Sequence, residues 1–183
     1  MHMTPDIILG HLERLAELLE VDQPVEILLI GGAAGMLTGQ FESTRTTADC
    51  DVINYVPAES QQAVIHAAKQ VAAERNLPEC WLNSQAMQLD ILPNGWQARK
   101  EHIATFGELS IYALSRKDLL ATKFYAGYVR DREDIQVMKP TPDELAFVRK
   151  YLNMLRVPSR NANLDGVQRA LIYLDAIEEA GDE

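Results

Sequence analysis

The chain has 183 residues, 47% of them hydrophobic, and its 27 acidic against 17 basic side chains give a formal net charge of −10. That length suits one domain, or one domain with a helical appendage, and the apolar content is too high and too evenly spread for a disordered chain. The charge disfavours non-specific attraction to nucleic acid over the whole surface and leaves only a local basic patch for such a partner.

Thr4-Pro5-Asp6 predicts a helix start, with Thr4 as cap and Pro5 in the first turn. Ile7, Ile8, Leu12, Leu15, Leu18 and Leu19 recur at helical spacing, so one face is buried as a cover on a sheet, and Asp22-Gln23-Pro24 closes the element. The apolar run Val25 to Ile30 then stops at Gly31-Gly32, the pattern of a buried strand entering a tight turn. Ala33, Ala34, Met36 and Leu37 suit a helix packed close to that strand. The polar stretch Gly39 to Thr47 returns the chain to a second strand, Asp49 to Tyr55.

Side chains alternate along a strand, so Asp49 and Asp51 point the same way, about 7 Å apart along the backbone. Two neighbouring acids repel each other and are costly to desolvate unless a cation lies between them. Mg²⁺, or Mn²⁺ in its place, is a hard cation that takes oxygen ligands and leaves room for substrate phosphates. A metal pair about 3.5–4 Å apart activates an attacking oxygen and stabilises a leaving pyrophosphate. Gly31 and Gly32, lacking side chains, let backbone N–H groups approach phosphate oxygens.

Val56-Pro57-Ala58-Glu59 marks a turn into a helix from about Glu59 to Arg75, closed by Asn76-Leu77-Pro78. Trp81 follows, either as packing or as a platform for substrate stacking. Met87 to Leu92 alternates, which predicts a strand with Met87, Leu89 and Ile91 on one face and Gln88 and Asp90 on the other. Trp96 to Thr105 carries the basic cluster Arg99, Lys100 and His102, as a connection or a phosphate-facing edge.

Leu109 to Ala113 reads as a strand, and Ser115 caps a predicted helix from Lys117 to about Val129. Lys123, Ala126 and Arg130 fall near one face of that pattern. Lys123 is either set against triphosphate charge or exposed to solvent; Arg130 contacts a phosphate or forms an i,i+4 pair with Asp134. Lys139-Pro140-Thr141-Pro142 breaks the chain and starts a helix capped by Thr141. Pro158 to Asn163 is a loop, and Leu164 to Ala180 a final helix.

Gly31-Gly32 followed by Arg45-x-Thr47-x-Asp49-x-Asp51 resembles the opening motif of the nucleotidyltransferase superfamily with the DNA polymerase β type of fold. The R-x-T-x-D-x-D form resembles its AbiEii-like and DUF6036-type branch, which includes toxins of bacterial toxin–antitoxin and phage-defence systems. Leu114 to Ala126, then Arg130 and Asp134, resembles that branch's L-x-x-K-x-x-A-x-x-x-R-x-x-x-D helix pair, and Trp81-Leu82-Asn83 is similar to a W-L-N found after its second helix. The likeness spans roughly residues 25 to 138. It departs after Asp134, where the branch usually carries a further acid and this chain reads Ile135-Gln136-Val137-Met138.

The resemblance implies an α/β (α+β) fold: a small mixed sheet in a nucleotidyltransferase core, residues 1–114, and a helical C-terminal part, residues 115–183. It implies a metal-dependent transfer of a nucleoside monophosphate from a nucleoside triphosphate, with Asp49 and Asp51 holding Mg²⁺ and Lys123 neutralising charge. Asp90 is the candidate third carboxylate; its alternative is a solvent-facing acid beside the Pro93-Asn94-Gly95 turn. Gly31 and Gly32 would contact phosphates, while Arg45 and Thr47 touch phosphate, orient the loop or merely brace it. The acceptor would be a tRNA end or a protein, with a cognate antitoxin as partner. Two other readings remain: a catalytically silent nucleotide-binding scaffold, favoured by the missing acid and the acidic surface, and a kinase-like phosphotransferase releasing a diphosphate.

No apolar run approaches the roughly 20 residues that span a bilayer, and Met1 to Gly10 lacks the basic start and apolar stretch of a signal peptide. The cytoplasm, without membrane attachment, is the expected compartment. Cys50 and Cys80 have neither metal-knuckle nor redox spacing, and a disulfide is not expected there. The four histidines are scattered and suggest no zinc site.

Overall fold

The computed structural model describes residues 2–41, 45–88, 90–157 and 162–181. Parts of three expected segments lie outside the described residues: 42–44 of the polar stretch, 89 of the predicted strand 87–92, and 158–161 of the last loop. The architecture is mixed α/β. By contact density the chain divides into two units, Met1–Gln88 with Lys100–Leu114, and Leu89–Arg99 with Ser115–Glu183.

The first unit is built on β1 (Val25–Ile30), whose apolar residues are all buried. It pairs antiparallel with β2 (Cys50–Val56) on one side and parallel with β5 (Leu109–Ala113) on the other. The two-residue β3 (Leu82–Asn83) runs parallel to β2, and β4 (Glu101–Phe106) forms a hairpin with β5, giving the mixed order β3-β2-β1-β5-β4. The short α2 (Gly31–Leu37) follows β1 without a linker, turned by Gly31 at φ +68°, a conformation that favours glycine.

Helices α1 (Pro5–Leu18) and α3 (Gln61–Arg75) pack together, burying Ile8, Leu12 and Leu15 from one and Val64, Ala67, Ala68 and Val71 from the other. Trp81 is 1% exposed and its indole Nε1 donates to the Ala68 carbonyl at 2.9 Å. A buried indole needs such an acceptor, which assigns Trp81 to packing. His11 stands edge-on to the Trp81 ring, with centroids 5.5 Å apart.

The second unit joins the largely irregular segment 90–99 to a helical part. It holds α4 (Arg116–Ala126), α5 (Val129–Met138), α6 (Pro142–Leu155) and α7 (Leu164–Gly181). Leu119, Leu120, Phe124, Ile135, Val148, Leu152, Leu155, Val167 and Leu174 supply buried apolar surface. Thr141 caps α6 in a reciprocal box with Glu144, the Thr141 N–H donating to Glu144 Oε2 at 2.9 Å, which satisfies end groups that the helix cannot. Among the described residues no helix is long and apolar enough to cross a membrane.

Three expectations are corrected. The single helix from Lys117 to Val129 is two helices, because Gly127 adopts φ +65° and ends α4; Lys123 and Arg130 therefore stand on different helices and share no helix face. The strand expected over Met87 to Leu92 is not formed by its described residues: Gln85–Gln88 is a 3₁₀ turn, and Asp90 and Ile91 are irregular. The Gln85 N–H donates to Asn83 Oδ1 and the Met87 N–H to the Ser84 carbonyl, at 3.3 and 3.1 Å, so local hydrogen bonds take the backbone from a ladder. Conversely, the region Trp96 to Thr105 contains all but the last residue of strand β4, preceded by a 3₁₀ turn at Trp96–Ala98.

Candidate active site

The acids stand where β2 begins, opposite the end of β1. Asp49 and Asp51 are each half-buried, while Cys50 between them is fully buried, the two-residue alternation that aims both carboxylates to one side. A bulge lies immediately beyond: Leu28 pairs with Asn54 but Leu29 with Val52, leaving Ile53 as the extra residue. Such a bulge bends the strand and re-aims the side chains beside it.

Asp51 faces Ile30 in the β1–β2 ladder and Asn83 in the β2–β3 ladder. Its Oδ1 accepts from Asn83 Nδ2 at 2.9 Å. Its Oδ2 lies where a side chain at position 31 would start, 2.9 Å from an ideal Cβ built on Gly31. Gly31 is thus required twice, for its left-handed backbone and for the space the carboxylate occupies. Asp49 forms no side-chain hydrogen bond or ion pair among the described residues. Both charges reach the buried Cys50 thiol, whose pKa is raised first by burial and then by Asp49 and Asp51.

The next glycines have the same use. An ideal Cβ at Gly32 would lie 3.1 Å from the Thr47 hydroxyl, and one at Gly35 only 2.1 Å from the Phe41 ring. Thr47 Oγ1 donates to the Asp49 carbonyl at 3.2 Å, and the Thr47 backbone exchanges two hydrogen bonds with Met3, at 2.7 and 3.1 Å. Thr47 therefore braces the loop that presents the acids. The Arg45 guanidinium stands 5.6 Å from the Phe41 ring centroid, a cation–π arrangement within the segment between α2 and the acids, and the Phe41 ring in turn lies against Gly35 of α2.

The remaining candidates belong to the second unit. Lys123 is 3% exposed, and its ammonium donates to Asp131 Oδ1 at 3.0 Å and Asp134 Oδ2 at 2.6 Å. Burying an ammonium requires such partners, and the solvent-exposed alternative for Lys123 is excluded. Arg130 is exposed on α5, and Asp90 is an exposed acid in an irregular segment. Among the described residues no three His, Cys, Asp or Glu side chains converge as a metal cluster.

Sequence pattern marks Asn83 only as part of the Trp81-Leu82-Asn83 motif, not as a site residue. A two-residue strand leaves no periodic signal, and only its parallel pairing beside Asp51 gives the amide its place.

A mixed sheet with an aspartate pair beside a diglycine turn is the arrangement that the resemblance to the nucleotidyltransferase superfamily implies. Residues 8–139 match the model of the family described as nucleotidyltransferase of unknown function (DUF6036), and the chain belongs to that family. No curated protein and no solved structure matches the chain.

Proposed function

We propose that this chain is a metal-dependent nucleotidyltransferase that moves a nucleoside monophosphate from a nucleoside triphosphate to a hydroxyl of an RNA, such as a tRNA end, or of a protein. Family membership supports the general reaction. The observation that carries the rest is the carboxylate of Asp51, seated over Gly31, steadied by Asn83, with Asp49 one alternation away.

This donor set suits Mg²⁺ or Mn²⁺. Two carboxylate oxygens are hard ligands, and Mg²⁺ commonly takes one or two protein carboxylates and leaves its other positions to water and phosphate. Bound there, the cation would supply charge stabilisation for an oxygen attacking the α-phosphate and for the pyrophosphate that leaves. The chain's own residues do the rest: Asn83 fixes the rotamer of Asp51, Thr47 holds the turn before Asp49, and the Gly31-Gly32 backbone admits phosphate oxygens. We assign Arg45 to loop positioning near those phosphates; Arg130 is a phosphate-contact candidate to be tested by substitution. Asp90 remains a third-carboxylate candidate to be tested by substitution. A cytoplasmic toxin acting with an antitoxin is the biological setting that the family resemblance suggests.

Asp51→Asn keeps volume and fold while weakening one ligand. Incubation with labelled nucleoside triphosphates, Mg²⁺ and cell extract is expected to give a labelled RNA or protein band with the native chain. Losing a positioned electrostatic group of this kind costs about 10²–10³ in rate, so the band should vanish with the variant. Undiminished labelling by Asp51→Asn would refute the mechanism. A second reading, a silent scaffold, is favoured by Lys123, whose ammonium is committed to Asp131 and Asp134; absence of any labelled band with the native chain would favour it.

A further inference from the structure

A cavity of about 340 Å³ opens within the second unit, between the segment Pro93–Arg99 and one face of α6. Pro93, Phe147, Tyr151 and Met154 give it apolar walls, and Arg99 and Lys150 bring positive charge. That volume and this mixture of apolar lining with few polar groups are those of small-molecule sites.

The arginine is held rigidly. Its Nε and Nη2 form a two-pronged pair with Asp118, at 3.0 and 2.7 Å, and Asp118 is fully buried. Nη2 also donates to the Asn94 carbonyl at 2.9 Å, and the guanidinium lies 5.4 Å from the Phe147 ring centroid. These bonds leave Nη1 without a hydrogen-bond partner among the described residues. Nη1 lies beside Gly95, 3.1 Å from where a Cβ would stand. Tyr151 steadies the same segment by donating its hydroxyl to the Ile91 carbonyl at 2.8 Å.

Lys150 has no carboxylate partner among the described residues. In a chain of net charge −10, the unmatched charge of Lys150 and the spare donor of Arg99, whose own charge Asp118 matches, form a local anion-attracting spot beside an aromatic wall. One guanidinium nitrogen and one ammonium suit a singly charged head group; a triphosphate would need more donors. Phe147 and Met154 suit a flat ring.

We propose that this cavity binds a small aryl carboxylate, its ring against Phe147 and Met154 and its charge between Arg99 Nη1 and Lys150. The site lies wholly within the second unit and does not depend on the nucleotidyl-transfer reading.

The test uses 1-anilinonaphthalene-8-sulfonate, a fluorescent aryl anion, and its uncharged parent N-phenyl-1-naphthylamine, with the full chain. Saturable fluorescence of the anion, weakened by added salt and displaced by 2-naphthoate, is expected. Lys150→Glu, an exposed change, should weaken the anion about fivefold to tenfold and leave the neutral dye unaffected. Met154→Trp, which fills the cavity, should abolish binding of both while thermal melting shows an intact fold. If Met154→Trp fails to fold, the Lys150→Glu comparison decides alone. Equal loss of both dyes in Lys150→Glu, anion binding that persists in folded Met154→Trp, or displacement by AMP but not by 2-naphthoate would each overturn the proposal.

Discussion

Asp49 and Asp134 are both acids in the same chain, and they are held in opposite ways. Asp134 is buried with an ammonium 2.6 Å away; Asp49 is half-buried and has no side-chain partner among the described residues. An acid whose charge is matched internally serves the fold, since its removal takes away one of the two carboxylates that hold the buried lysine. An acid kept beside a like charge, with a glycine cradle next door, costs stability unless something outside the chain supplies the countercharge. The contrast marks Asp134 as a structural carboxylate and is the physical ground on which Asp49 is proposed as a functional one.

The largest effects should come from reversing this assignment. Asp49→Asn is expected to lower nucleotide transfer by about 10²–10³ while leaving the melting temperature unchanged or raised, because a like-charge repulsion is relieved. Asp134→Ala should do the reverse, destabilising the chain by about 1–3 kcal/mol as its buried partner keeps only Asp131 for countercharge, measured by urea unfolding. Lys123→Met combined with Asp134→Leu should be less destabilised than the sum of the single changes. If Asp134→Ala were neutral for stability but abolished transfer, the contrast drawn above would be wrong.

Smaller effects sharpen it. Asn83→Ala should cut transfer about 10–100-fold, the usual cost of removing a group that orients a metal ligand, with a stability loss of about 1 kcal/mol. His11 offers a check remote from the acids. Its Nδ1 lies 2.7 Å from Arg75 Nη1, and burial first, then the Arg75 charge, hold its pKa below 6.5. The unfolded chain therefore binds the proton more readily, so this contribution to stability is full above about pH 6.5 and is lost as pH falls toward the folded value. His11→Gln should flatten the melting temperature between pH 7 and 5.5. Asp90→Asn, the mildest change, should leave transfer unaltered if Asp49 and Asp51 suffice; a loss as large as that of Asp49→Asn would establish Asp90 as a third ligand.

What was legible in the sequence was what local pattern determines. Val25–Ile30 stopping at Gly31-Gly32 gave the first strand and its turn, and Thr141 with Glu144 gave a capped helix. The alternation of Asp49, Cys50 and Asp51 anticipated their burial. The rest depends on partners distant in the chain. Asn83 meets Asp51 across 32 residues. Lys123 meets Asp131 and Asp134 across a helix break that the Lys123-to-Arg130 spacing conceals. Strand β4 escaped because its residues are mostly half-buried and a register shift between His102 and Ala104 breaks the alternation. Met87 to Leu92 misled for the converse reason: it alternates, but local turn bonds claim its start.

The two thiols give the acid-bearing strand a built-in gauge. Cys50 is wholly shielded and held as the unreactive thiol by burial and its two acidic neighbours, whereas Cys80 is exposed. An alkylating reagent should modify one sulfur promptly and reach the other only when β2 lifts from its neighbours. The slow phase therefore times the release of the strand that carries the carboxylates from its flanking strands, and under the proposed function a nucleotide with its metal would lengthen that delay.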